Sequence, residues 1–302
     1  MATIKELIAP YRYTERYVSI NEGLEIAYLD EGEGDQVIIM IHGLATYIPA
    51  WYKNIAELQK HYRCVALDLP GYGKSNSGYY EDSMTFYAKV IAEFTAKLGL
   101  EKVILVGNSM GAHIAMTYAL DYPDLVENMI LLAPAGFETF TEDEVKWIKS
   151  VFSAENLMAA EEDLIRSNYA QNFYAMPEDI EPLIADRLNM RHADDYQTYC
   201  QTISTNVSGM LVRPVFKHLN QIDIPTQVVF GENDRLIPNR ILHPESTTLS
   251  IAEAGTNELK NGQLIMLPEC GHFMPFEKPK EVNQIIQDFL INQGVSKTTK
   301  LT

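Results

Sequence analysis

The chain has little of what disulfide, zinc, membrane or nucleic acid chemistry requires. Its three cysteines, Cys64, Cys200 and Cys270, lie far apart, are odd in number and form no C-x-x-C pair. That pattern excludes a disulfide framework and a zinc site, and reduced, mostly buried thiols are expected. No run approaches the roughly 18 apolar residues that a bilayer-spanning helix needs. Basic clusters are also missing: 24 Lys and Arg stand against 41 Asp and Glu, a formal net charge of −17. Such a chain repels phosphate backbones and anionic headgroups. The expected partner is a small neutral or apolar molecule, with no nucleic acid, membrane, metal or cofactor; monomer and homodimer both stay open. The opening MATIKELIAPYRYTERY mixes charges and has no apolar core. It does not read as a secretory signal, and a cytoplasmic location is expected. Neither an internal repeat nor a low-complexity tract is present.

What is there is an ordinary globular composition, 46% hydrophobic and 22% charged over 302 residues, enough for one large core with a smaller unit inserted in it. Short apolar runs alternate with helical patterns. Residues 15–20 and 24–30 flank Asn21-Glu22-Gly23, a turn composition, and predict an opening antiparallel hairpin at one sheet edge. Val37–Ile41 is apolar on both faces, as a strand covered by helices on each side is. Residues 64–67, 103–106, 129–132, 227–230 and 264–267 repeat that pattern. The alternation breaks between about 135 and 220, where amphipathic helical patterns occur without a strand. One of them opens with the capping box Thr141-Glu142-Asp143-Glu144. The reading is an α/β fold, a mostly parallel central sheet flanked by helices: residues 1–134 and 221–302 form the core, and 135–220 an inserted all-helical lid. A closing helix is predicted over 279–292, with Val282, Ile285, Ile286 and Phe289 facing the sheet, and a frayed tail from Val295.

Chemistry concentrates at strand ends. Gly107-Asn108-Ser109-Met110-Gly111 matches G-x-S-x-G, follows the strand VILV and precedes the helix pattern AHIAMTYAL. A serine in so tight a turn has a crowded backbone, which small residues two before and two after relieve, and the helix N-terminus favours developing negative charge. A serine hydroxyl is a poor nucleophile at neutral pH and needs a base, itself fixed by an acid. His272, between the last strand and the closing helix, is the candidate base. Asp234, in Gly231-Glu232-Asn233-Asp234, is the candidate acid, with Glu232 its nearest competitor. An oxyanion needs fixed donors, each worth about 3 kcal/mol of barrier lowering. The backbone amides of Met110 and Leu44, the latter just past His42-Gly43, are the candidates. His42, Gly43, Tyr47, Asn108, Phe137 and Phe273 complete the set as candidate substrate-binding residues. Of the aromatics in the lid and near the first loop, Tyr47, Trp51, Phe137, Phe152, Phe173 and Tyr174, most are expected in the core and some lining an apolar pocket, and the sequence does not choose which.

Taken together, His42-Gly43, Asp68-Leu69-Pro70-Gly71-Tyr72-Gly73-Lys74-Ser75, the Ser109 turn, Gly231–Asp234 and Gly271-His272 resemble the α/β-hydrolase fold superfamily, in its serine-nucleophile branch with a helical cap. The resemblance covers nearly the whole chain. It implies that 135–220 is the cap that shapes the substrate pocket, and that the order Ser, Asp, His is the order of the triad. The Asn-Ser-Met-Gly turn is similar to that of meta-cleavage product hydrolases, which cut carbon–carbon bonds. Those enzymes carry a Ser/Gly-rich loop where this chain has Leu44-Ala45-Thr46-Tyr47-Ile48. Serine at the turn also argues against haloalkane dehalogenases and epoxide hydrolases, which place aspartate there. The stretch 239–262 is long for the usual connection and suggests an extra loop near the site.

Other signals are set aside. Pro70–Ser75 lacks the earlier glycine of a phosphate-binding loop, where Asp68 stands, and Asn76 replaces the last glycine of a dinucleotide fingerprint. The acidic clusters 141–144 and 161–163, and His192 with Asp194 and Asp195, read as solvated surface rather than metal ligands. The expected function is hydrolysis of a small, largely apolar carboxylic ester through an acyl-enzyme. The alternatives are hydrolysis of a carbon–carbon bond in a diketone-like substrate, and a non-catalytic ligand receptor on the same fold.

Overall fold

The computed structural model describes residues 2–20, 23–81 and 83–299. The apolar runs become β1 (Arg16–Ser19), β2 (Glu25–Glu31), β3 (Val37–Ile41), β4 (Arg63–Leu67), β5 (Val103–Asn108), β6 (Val126–Leu132), β7 (Thr226–Gly231) and β8 (Gly262–Leu267). They form one sheet in the order β1-β2-β4-β3-β5-β6-β7-β8. From β4 to β8 every pairing is parallel, while β1 pairs antiparallel with β2 and β2 with β4. The hairpin register sets Arg16 opposite Tyr28 and Ser19 opposite Glu25; Asn21 and Glu22 of its turn lie outside the described residues. The strands apolar on both faces are the covered ones: every residue of β3, β5 and β7 is buried. β8, at the edge, is only partly covered.

Connections between parallel strands need crossovers, here helices. The described helices are α1 (Ile4–Leu7), α2 (Tyr52–Leu58), α3 (Ser83–Lys97), α4 (Met110–Asp121), α5 (Glu142–Val151), α6 (Ala154–Met158), α7 (Glu162–Gln171), α8 (Glu181–Asn189), α9 (Tyr196–Val212), α10 (Thr248–Glu258), α11 (Met274–Glu277) and α12 (Pro279–Thr299). α4 follows β5 under the sheet with ten of its residues buried. Between β6 and β7 the described residues hold helices α5 to α9 and no strand. Thr141 caps α5 as its sequence predicts, with Thr141 N–H donating to the Glu144 carboxylate at 2.7 Å.

The structure departs from the sequence reading in four places. The N-terminal arm carries α1 and is tied to the helical segment: Ile4 N–H donates to Asp195 and Ala9 N–H to Asp186. Asp195 is therefore a clamp and not a solvated charge. Of the long stretch 239–262, nearly half is α10, started by a Thr247 cap; the loop before it and the first residue of α10 touch the site, Arg240 and Thr248 donating to the Asp234 carbonyl at 3.4 Å. The closing helix runs on to Thr299, past the expected end at 292, because no proline after Pro279 removes a helical N–H. Phe152 and Tyr174 are exposed. Phe152 caps α5, which buries only Ile148, whereas Trp51 and Phe173 are fully buried as expected.

Candidate active site

β5 ends at Asn108 and α4 starts at Met110, so Ser109 alone turns the chain. Its backbone sits at φ 54°, ψ −114°, a conformation costing about 1–3 kcal/mol that surrounding contacts sustain. The Ser109 N–H donates to the Leu132 carbonyl at 2.9 Å, pinning the turn to the end of β6. The flanking glycines are steric necessities. A Cβ on Gly111 would lie 2.1 Å from the Ile41 carbonyl, and one on Gly107 would lie 2.4 Å from the Gly111 carbonyl.

Two further loops converge at the same sheet edge, outside the carboxyl ends of parallel strands, where such sheets bind ligands. The turn after β7 is stitched to the loop after β8, with Asn233 N–H donating to the Cys270 carbonyl at 2.9 Å. His272 Nδ1 and Asp234 Oδ2 are 2.7 Å apart, and both residues are buried. Asp234 Oδ1 accepts from Leu236 N–H at 2.8 Å and Ile237 N–H at 3.0 Å. Since the carboxylate only accepts, Nδ1 carries the hydrogen and Nε2 presents a lone pair. Glu232 is exposed and makes no such contact. Asn108 Nδ2 donates to the Leu132 carbonyl at 3.1 Å and the His272 carbonyl at 3.3 Å, so the residue before Ser109 ties down the histidine. Among the described residues no hydrogen bond joins the Ser109 hydroxyl to His272 Nε2. Bonds of this kind commonly tighten only when substrate binds.

His42 is fully buried, and burial lowers its pKa to about 4. Leu69 N–H donates to His42 Nε2 at 3.1 Å, so the ring hydrogen sits on Nδ1, which donates to the Gly43 carbonyl at 2.8 Å. The same carbonyl accepts from the Thr46 hydroxyl at 3.1 Å. A trans peptide points its N–H opposite its C=O, so bonds that hold Gly43 O also aim Leu44 N–H. Gly43 sits beside Ser109, its Cβ position 3.5 Å from Ser109 Cβ. Met110 N–H, first in α4, has no acceptor inside its own helix. Among the described residues neither amide donates a hydrogen bond.

The other sequence candidates are placed differently. His42 has both ring nitrogens committed to backbone, and Asn108 Nδ2 is likewise committed to the Leu132 and His272 carbonyls. Phe137 lies against Gly255 of α10 and the Phe230 ring, in the core. The Tyr47 hydroxyl donates to the Asp186 carboxylate of α8. Phe273 packs between Phe173 and Phe276, at 5.8 and 5.6 Å. Asp68 is fully buried, and burial raises its pKa to about 6. It accepts from Ile48 N–H, Lys74 N–H and the Tyr11 hydroxyl, and so anchors the loop that carries Leu44.

One residue that the sequence did not single out is Arg187 of α8. It is buried, no carboxylate pairs with it among the described residues, and its Nη1 has no hydrogen-bond partner. Its guanidinium lies over the rings of Tyr199 at 4.9 Å and Tyr196 at 5.2 Å. The Tyr199 hydroxyl donates to the Ala45 carbonyl at 3.4 Å, so the cation is one aromatic ring from the Leu44 loop. Its neighbour Asp186 is used by Tyr47 and Ala9. Its burial over two tyrosine rings is set by how α8 packs on α9, and no spacing in the sequence signals that it lacks a carboxylate.

A family model described as alpha/beta hydrolase fold matches residues 36–279. A 2-hydroxy-6-oxononadienedioate/2-hydroxy-6-oxononatrienedioate hydrolase of Paraburkholderia phymatum is 28% identical over 291 residues, covering 92% of this chain and 96% of its own. Among solved structures, a membrane phospholipase A has a TM-score of 0.76 at 27% identity, over 93% of this chain and 86% of that one. A probable hydrolytic enzyme from Pseudomonas aeruginosa superposes with a TM-score of 0.83 at 21% identity, over 96% and 98%.

Proposed function

The chain belongs to the α/β-hydrolase fold family, and from that premise we propose that it hydrolyses a carbon–carbon bond next to a ketone, in a small substrate that carries a carboxylate. In this reading Ser109 is the nucleophile, His272 the base, Asp234 its orienting acid, and the amides of Leu44 and Met110 the oxyanion donors. His272 Nε2 takes the Ser109 proton as Oγ attacks the ketone carbon. In the keto tautomer of the substrate, whose carbon next to the ketone is saturated, the carbon–carbon bond then breaks, its electron pair enters a conjugated enolate, and His272 returns the proton to that fragment. Water activated by the same imidazole releases the acyl group from Ser109. Helices α5 to α9 act as the cap over this site.

The observation that carries the choice of substrate is Arg187. A buried cation with no carboxylate beside it remains costly even over aromatic rings, and a ligand carboxylate of matching bidentate geometry relieves that cost. The relatives' named substrates are dienedioates, with a carboxylate at each end; the proposed ligand is of that type and not the largely apolar ester that composition alone favours. A second reading, ester hydrolysis, is supported by the 27% identical phospholipase and uses the same serine.

One experiment separates them. A dienoate ring-fission product and p-nitrophenyl esters are supplied to wild type, Arg187→Gln and Ser109→Ala. Dienoate turnover exceeding ester turnover is expected, with Arg187→Gln lowering kcat/KM for the dienoate by about 2–4 kcal/mol, roughly 30- to 1,000-fold, and leaving the uncharged esters within a few fold. Faster ester turnover, or equal losses on both substrates, rejects the carboxylate reading. Negligible turnover of either, with tight ligand-dependent stabilisation, favours a receptor.

A further inference from the structure

The residues on either side of His272 are held by groups outside the triad. Gly271 N–H donates to Glu277 Oε2 at 2.7 Å, and Phe273 N–H donates to the Asn172 carbonyl at 2.9 Å. The other oxygen of Glu277, Oε1, accepts from Ala175 N–H at 2.8 Å. A single carboxylate thus spans the residue before His272 and the stretch that follows α7. The seat is close-fitting: a Cβ on Gly271 would lie 2.6 Å from the Asn172 carbonyl and 2.7 Å from Phe173 Cα. The buried Phe173 ring meets Phe273 at 5.8 Å. Two N–H groups converging on one side chain need a group that only accepts, and ionised glutamate is one. Charge also makes each bond shorter and stronger than a neutral one.

We infer that Glu277 is a positioning residue for the proposed reaction, its carboxylate coupling the seating of residues 172–175 to the placement of His272 over Ser109. This inference rests on the Ser109–His272–Asp234 reading. Glu277 touches neither substrate nor the imidazole; it acts through the backbone that carries the ring. Displacing a reacting group by about 1 Å costs on the order of 100-fold in rate. Asn108 still holds the His272 carbonyl when Glu277 is altered, so the loop is misplaced and not released.

Glu277→Gln tests this. The amide keeps the size of the side chain but turns an NH2 group toward one of the two N–H donors. Ser109 labelling by a fluorophosphonate, kcat and KM are measured on wild type, Glu277→Gln and Ser109→Ala, with labelling scaled to the folded fraction from circular dichroism. The expected result is a 10- to 100-fold fall in both labelling rate and kcat per folded molecule, with KM within threefold of wild type. Labelling within twofold of wild type, or a loss that only follows the loss of folded protein, overturns the inference. Wild-type Ser109 as unreactive as the alanine variant removes the triad premise and the inference with it, an outcome distinct from a reactive serine indifferent to Glu277.

Discussion

Replacing Asp234 by asparagine tests the proposed chemistry with almost no change in shape. Asp234 is buried, with Oδ1 accepting from the N–H groups of Leu236 and Ile237 and Oδ2 from His272 Nδ1. Asparagine has one acceptor oxygen, and two converging donors claim it, so the NH2 group faces the imidazole. The ring then offers Nδ1 as acceptor and keeps its hydrogen on Nε2, where it cannot take the Ser109 proton. Flipping the amide would leave two backbone N–H groups facing an NH2, at about 1–3 kcal/mol each. The wrong tautomer therefore prevails. A loss of about four decades in kcat is expected, or roughly 5.5 kcal/mol at 1.36 kcal/mol per decade. Steady-state turnover and the pre-steady-state burst measure it, on protein whose melting shows an intact fold. Asp234→Ala, which orphans both N–H groups, should lose stability as well, separating the tautomer effect from collapse. A kcat within tenfold of wild type for Asp234→Asn would refute the assignment of His272 as base and Asp234 as its orienting acid.

Two other outcomes follow from the packing. Gly111→Ala forces a methyl to 2.1 Å from the Ile41 carbonyl, where backbone and not a flexible side chain has to yield; a loss of at least 1–3 kcal/mol should appear as a lower urea midpoint, and an unchanged midpoint would deny the close approach. His42 and His113 are both buried with pKa lowered from 6.5 to about 4. Each must be neutral in the fold, so its contribution is complete above pH 6.5 and is lost as pH falls toward 4, about 3 kcal/mol apiece at 1.36 kcal/mol per unit. Asp68, raised from 3.8 to about 6, works against stability as pH rises through that window and offsets one of the two. Urea unfolding should be easier at pH 4.5 than at pH 7, with a shallower slope in His113→Gln; equal slopes would remove His113 from the account.

Much of the site was legible because its signals are local. The strand VILV, Gly107, Gly111 and the helix pattern after them sit within twenty residues, and tight turns at strand ends have steric rules that a sequence displays. Asp234 and His272 were legible by position, each just past a buried strand. The roles of His42, Asn108 and Tyr47 were not: all three carry polar atoms, and nothing in their order along the chain shows that backbone carbonyls, a backbone amide and Asp186 already engage them. Phe137 failed as a pocket residue for the same reason, since the glycine that admits its ring, Gly255, lies more than a hundred residues away.

The sequence by itself determined the alternation of strands and helices, the parallel sheet, the serine turn and the order of its partners. Each of these depends on the periodicity of apolar residues or on the size of neighbours a few positions apart. Only the tertiary structure decided the tautomers of His42 and His272, the unpaired charge of Arg187, and the carboxylate of Glu277 shared between Gly271 and Ala175. Those properties belong to groups that meet in space, Leu69 with His42, Asp234 with His272 and Ala175 with Glu277 across 27 to 102 residues, and hydrogen bonds and charges depend on distance in space, which no linear pattern encodes.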